Sequence, residues 1–111
     1  MFQGVAGNIE RYMDLLSARQ KLVVSNIANA DTPGYRTKDI DFRAEFDREV
    51  SSAAHIMEPD GSPIKPDGNN VDIDRESRLL SENALRFAVA SNLVRSEIHQ
   101  IKSAIDEGKS A

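Results

Sequence analysis

Residues 75–107 read RESRLLSENALRFAVASNLVRSEIHQIKSAIDE, and within this stretch Leu80, Phe87, Val94 and Ile101 stand seven apart, as do Ala84, Ser91, Ile98 and Ile105. The two rows alternate by four and three residues, which puts them on one stripe of an α-helix. Asp74 is placed to cap it, Glu76 sets negative charge in the first turn where the helix dipole favours it, and Glu82 precedes Arg86 in the favourable i,i+4 order. A helix from about Arg75 to Glu107 would extend roughly 50 Å at 1.5 Å per residue. A heptad stripe of this kind is stable only when its seam is covered.

Working back to the N-terminus, a second stripe is formed by Val5, Ile9, Tyr12 with Met13, Leu16, Val23, Ile27 and Ala30, with Gln20 as its one polar member. No Pro and, after Gly7, no Gly interrupts it, so a helix is predicted over this run. Asp31-Thr32-Pro33-Gly34-Tyr35 must end that helix. Pro33 pushes Thr32 to an extended conformation, and Pro33-Gly34 suits the centre of a type II turn. Further on, Asp41 is placed to cap a short helix with Phe42, Phe46 and Val50 on one face. The runs at 58–63 and 65–70 read as consecutive turns. The predicted fold is therefore mainly α: two long terminal amphipathic helices pair as an antiparallel coiled-coil-like unit around an irregular, partly disordered middle containing a short helix. Residues 1–30 and 75–111 are the helical ends of one assembly domain, and residues 31–74 the corner and flexible middle.

Composition narrows the function. The chain has 111 residues, 40% hydrophobic and 5% aromatic, which leaves little material for a self-sufficient core. Its net charge of −4 is uneven: residues 31–74 carry 5 basic against 11 acidic groups, while both ends are nearly balanced. No basic stripe suited to phosphates results, so nucleic acid is not an expected partner. The absence of cysteine removes disulfides and thiolate metal sites. No stretch approaches the roughly 18–20 apolar residues that span a bilayer, and the N-terminus has no signal-peptide pattern.

Chemistry is hard to assemble from the remaining residues. His55 and His99 are far apart and lack a carboxylate at ligand spacing, whereas zinc takes three or four ligands. Asp39 and Asp41 form a carboxylate pair with no apolar cleft to shift either pKa, and helix capping suits them better than acid–base work. Phe42 and Phe46 read first as a local packing pair. Neither a cofactor, a metal nor a small-molecule substrate is called for, and the expectation is a protein that is not an enzyme. Periodicity alone serves a monomeric two-helix core, a cytoplasmic coiled-coil adaptor and an assembly subunit equally well.

The segment 25–36, SNIANADTPGYR, resembles the signature of the flagellar rod and hook family, in which an N-terminal helix ends in an Asn-rich corner followed by a Pro-Gly-Tyr turn. Asn26 and Asn29 have side-chain amides that can bond backbone groups freed at the helix end, and Asp31, Thr32, Pro33, Gly34 and Tyr35 complete the corner. Lys38-Asp39-Ile40-Asp41-Phe42 and residues 70–76, NVDIDRE, are most similar to the proximal rod members. Residues 82–87, ENALRF, replace the run usual in hook and distal-rod members. The resemblance implies a structural subunit of the proximal rod in the periplasmic part of the basal body, transmitting motor torque and lining the export channel. It implies export by the flagellar type III apparatus without a cleaved signal. Its implied partners are copies of itself, other rod subunits, the basal-body membrane ring, its adaptor protein and the export gate. Ile9, Tyr12, Met13, Leu16, Val23, Ile27 and the two C-terminal rows would then pack helices and subunits together. Phe42 and Phe46 would match the family's short export-gate pattern. Another proximal rod subunit of the same family is the alternative, and residues 43–69 match no motif.

Overall fold

The computed structural model describes residues 2–47 and 55–110. In chain order these form α1 (Phe2–Ala28), β1 (Asp39–Ile40), α2 (Phe42–Asp47), β2 (Ile56–Met57) and α3 (Ile73–Ser110). The expectation of a mainly helical fold with paired ends and an irregular middle holds. Gln20 faces Asn83, Leu16 shares a groove with Phe87, and Ile9 shares one with Leu93, so α1 and α3 run antiparallel. The particle measures 71 × 26 × 17 Å. At 1.5 Å per residue the 38 residues of α3 outrun the 27 of α1 by about 16 Å, and residues 102–109 are exposed on every side.

The α1 stripe faces inward as its spacing requires: Leu16 and Val23 are 1% exposed and Ile9, Tyr12, Met13 and Ile27 are half-buried. Burying one such aliphatic side chain is worth about 1.5–3 kcal/mol. The face of α3 that meets it is displaced from the hydrophobic seam. Glu76, Leu79, Asn83 and Ala90 are its buried members, while Leu80, Val94, Ile101 and Ser91 are half-buried on one flank. Ala84, Phe87, Ile98 and Ile105, counted within the seam by periodicity, are exposed in the single subunit. The displacement has a polar cause. Asn83 is 2% exposed and donates to Gln20 Oε1 at 3.2 Å, and Glu76 is fully buried with ion-pair and hydroxyl partners beneath it, so two polar residues sit where Leu would be anticipated.

Helix ends differ from the sequence reading by a few residues, for local reasons. Asp72, not Asp74, caps α3: its carboxylate accepts the backbone N–H groups of Asp74 at 3.1 Å and Arg75 at 3.3 Å, and its C=O accepts that of Glu76 at 3.0 Å. Asp41 does cap α2, accepting the Ala44 N–H at 3.2 Å. Asp39 caps nothing; it lies in β1, which pairs antiparallel with β2 through Asp39–Met57 and Ile40–Ile56. Val50 falls outside the described residues.

Leu16→Ala is expected to lower the unfolding free energy by roughly 2–5 kcal/mol. Ile105→Ala, on the exposed end of α3, should stay within about 0.5 kcal/mol of the parent. Urea unfolding followed by far-ultraviolet circular dichroism reads both.

Candidate functional site

Where α1 stops, carbonyls of its last turn and of the corner after it are collected by side chains from several parts of the chain. Asn29 donates to Ser25 O at 2.8 Å, Lys65 Nζ to Ala30 O at 3.0 Å, and Asn69 Nδ2 to both Asn29 O and Thr32 O at 2.8 Å. The Thr32–Tyr35 turn closes through Tyr35 N–H to Thr32 O at 3.2 Å, and Gly34 has φ 75°, the left-handed value that a type II turn requires at its third position. A second turn, at Lys65–Gly68, abuts it: a Cβ added to Gly68, itself at φ 88°, would lie 3.4 Å from Gly34 Cα. Backbone bonds tie the two together, from Gly34 N–H to Asp67 O at 2.9 Å and from Asn70 N–H to Tyr35 O at 3.3 Å.

Asn26 organises the outgoing strand. Fully buried, it donates Nδ2–H to Lys38 O at 2.8 Å, while Oδ1 accepts the Lys38 N–H at 3.0 Å and the Tyr35 hydroxyl at 3.0 Å. Its amide thus substitutes for a strand partner, satisfying both backbone groups of one residue. Asn70 does similar work nearby, accepting the Thr37 N–H and donating to Glu58 Oε1 at 2.9 Å. Thr32 donates to Asn29 Oδ1 at 3.0 Å; Asp31 and Pro33 are exposed at the rim of the corner.

Beneath the corner lies an ion cluster. Asp39, 3% exposed, receives Arg19 Nε and Nη2 at 2.9 Å and Arg75 Nη2 at 2.6 Å, and Arg75 Nη1 reaches Glu76 Oε1 at 3.0 Å. Thr37 Oγ1 donates to the same Glu76 oxygen at 3.2 Å. Burial disfavours the charged form of Asp39, but the hydrogen bonds of Arg19 and Arg75 and of the Ile40 N–H outweigh it and hold its pKa below the usual 3.8. Three elements, α1, β1 and α3, therefore meet at one carboxylate. Sequence reasoning missed Arg19, Asn69, Asn70, Arg75 and Glu76 as a group, because their partners lie 20–40 residues away and no local spacing marks such pairings.

Phe42 packs on α1: its ring meets Tyr12 edge-on at 5.3 Å and 86°, with the Arg19 guanidinium 5.9 Å from its centroid. The side chain of Phe46 lies outside the described residues. His55 Nδ1 stands 3.2 Å from Glu45 Oε1, and no group of three or more possible metal ligands occurs among the described residues. No described helix is long and apolar enough to cross a membrane.

The model of the flagella basal body rod protein family matches residues 13–36, which are the second half of α1 and the corner through Arg36. Flagellar basal body rod protein FlgB of Borrelia hermsii is 32% identical over 84% of this chain and 87% of its own length. The chain belongs to the FlgB family of flagellar basal body rod proteins. FlgB of Salmonella typhimurium is 30% identical over 86% of the chain and 88% of its own, and FlgB of Bacillus subtilis 26% identical over 98% of each. The last alignment runs over 127 positions against 111 residues here, so it opens gaps in this FlgB-family chain.

Two outcomes test the corner. Asn26→Asp keeps the shape and the acceptor of the side chain but turns an oxygen toward Lys38 O, so it should cost at least as much as Asn26→Ala, about 1–3 kcal/mol, measured by urea unfolding at pH 7. Because the folded pKa of Asp39 is depressed, its contribution is full above the unfolded value near 3.8 and is lost as pH falls through the folded value below it. Asp39→Asn should accordingly flatten the acid limb of the stability profile below pH 3.8 while lowering stability at neutral pH, where Arg19 and Arg75 lose their anion.

Proposed function

We propose that this chain is a structural subunit of the proximal rod of the bacterial flagellar basal body, acting by packing and not by catalysis. The observation that carries the reading is the residue left over once α1 and α3 have paired: large apolar side chains at Leu85, Phe87, Val89, Leu93, Ile98 and Ile105 remain 40% or more exposed on α3. A finished monomer has no use for them, and a subunit that packs between neighbours does. Membership of the FlgB family supplies the assembly in which those neighbours are rod components.

In this reading Ile9, Tyr12, Met13, Leu16, Val23 and Ile27 join the inner seam, while Ala84, Phe87, Ser91, Ile98 and Ile105 contribute to contacts with other copies and other rod subunits. The corner of Asn26, Asn29 and residues 31–35 fixes the direction in which the middle segment leaves the helix pair. A helix pair braced by buried ion pairs is suited to transmit torque and to line an export channel. The subunit reaches the periplasm through the flagellar type III apparatus and meets the basal-body membrane ring, its adaptor and the export gate there. Phe42, with Phe46, serves as the export-gate motif in the unfolded chain, since folding engages the Phe42 ring with Tyr12.

Deleting the gene in its host and complementing it with a tagged copy tests this. Loss of rods and swimming, with both restored and the tag recovered in purified basal bodies, is the expected result. Intact flagella in the deletion strain, with the tag confined to the cytoplasm, would overturn it in favour of a coiled-coil adaptor.

A further inference from the structure

The stretch 58–70, EPDGSPIKPDGNN, contains Pro-Asp-Gly twice, and the fold treats the two copies differently. Pro66-Asp67-Gly68 is docked on the corner. Its Asp67–Gly68 peptide is held at both ends: the Asp67 C=O accepts the Gly34 N–H at 2.9 Å and the Gly68 N–H donates to Lys65 O at 2.9 Å, while Asp67 Oδ1 accepts the Asn69 N–H at 3.0 Å. In the other copy Asp60 and Gly61 are exposed, and among the described residues no hydrogen bond engages the Asp60 carboxylate, the Asp60 C=O or the Gly61 N–H.

The residues that follow each triplet decide which copy docks. Asn69 and Asn70 supply the side chains that reach Asn29 O, Thr32 O and the Thr37 N–H, and the Asn70 N–H donates to Tyr35 O. Ser62 and Pro63 stand at the equivalent places after the first triplet, where neither has an amide side chain and Pro63 has no N–H. The first turn cannot reproduce those bonds and is left in water.

We propose that Asp60 is a site of spontaneous isoaspartate formation in the folded chain, and that docking protects Asp67 from the same reaction. The Gly61 nitrogen gives its proton to solvent and bonds to Asp60 Cγ, one carboxyl oxygen leaves as water, and a five-membered imide results. Water then adds at either imide carbonyl. Opening at the main-chain carbonyl leaves the backbone running through the Asp60 side chain, one methylene longer and with the elements of water restored. A following glycine favours the attack, because no Cβ shields its nitrogen. The approach also requires the peptide between the two residues to swing about its bond to the Asp Cα, so a peptide tied at both C=O and N–H must first open locally. Gly68 is tied in this way and Gly61 is not.

The product is tolerated where it forms. Residues 59–64 make no hydrogen bond to the rest of the described chain, and the anchors on either side, Glu58 to Arg36 and Asn70 and Lys65 to Ala30 O, lie outside the lengthened link. The same insertion at Asp67 would displace the carbonyl that Gly34 holds. None of this depends on the place of the chain in a rod.

Purified full-length chain, aged at neutral pH in buffer and in guanidinium chloride, gives the test. An endoproteinase that cuts before Asp but not before isoaspartate, with mass spectrometry of the fragments, reads each site separately. In buffer the uncut fraction at Asp60 should exceed that at Asp67 by at least about tenfold, and in denaturant the two should agree within about twofold, since both sites are Pro-Asp-Gly. Asp60→Glu, which would have to close a six-membered ring, should remove the label that an isoaspartyl carboxyl methyltransferase adds to the chain aged in buffer. The aged parent should melt at the temperature of the fresh one. Equal conversion of both sites in buffer, or conversion of neither, would overturn the proposal. A preference for Asp60 that persists unchanged in denaturant would do so too, because the fold would then not be its cause. Loss of the melting transition on ageing would overturn the claim that the product is tolerated.

Discussion

A carboxylate with 3% exposure cannot remain charged without nearby cations, and Asp39 has two, each from a different helix. Arg19 comes from the middle of α1 and Arg75 from the first turn of α3, so the ion cluster can form only when both helices and the strand between them are in register. Arg75 extends the link to Glu76, and Thr37 closes it from the strand side. The position of α3 along α1 is thus set at one end by charge. Along the rest of the interface, Leu16, Val23, Leu79 and Ala90 supply burial, which is less selective about axial position.

The same division appears at Gln20 and Asn83. A part-buried amide pair between the two helices contributes little net stability, but sliding either helix by one turn would separate the two amides. It therefore penalises alternative registers. This role matches that of single polar residues in coiled-coil seams, where stability is exchanged for a defined alignment.

Much of this architecture was legible in the chain. The period of Ile9, Leu16, Val23 and Ile27 identified the inner face of α1, and Pro33-Gly34 identified its terminating turn, because both signals are local and depend on side-chain size or backbone freedom. The inner face of α3 was harder. Leu80, Phe87, Val94 and Ile101 describe a real apolar row, yet the helix turns so that Glu76, Asn83 and Ala90 face inward, since those polar groups have partners that no window of sequence contains. Part of the row is left for the outside, and hydrophobic periodicity cannot tell a surface that meets its own chain from one that meets another. Asn26 and Asn29 were recognisable as helix-end amides, whereas Asn69 and Asn70 looked like ordinary turn residues until the fold brought them 40 and 33 residues back to Asn29 and Thr37.

The contact between Gly34 and Gly68 brings the exit and the return of the middle segment side by side. Their backbones are bonded directly, so the separation between those two points does not depend on how much chain lies between them. Lengthening a closed loop costs only about 0.6 kcal/mol per doubling of its length. The corner therefore works as a splice point: as long as Thr37, Lys38 and Asp39 keep their bonds to the two helices, the chain beyond Ile40 can differ in size and shape while the helix pair keeps its geometry. Such a frame allows the middle segment to diversify without any change in the helix pair.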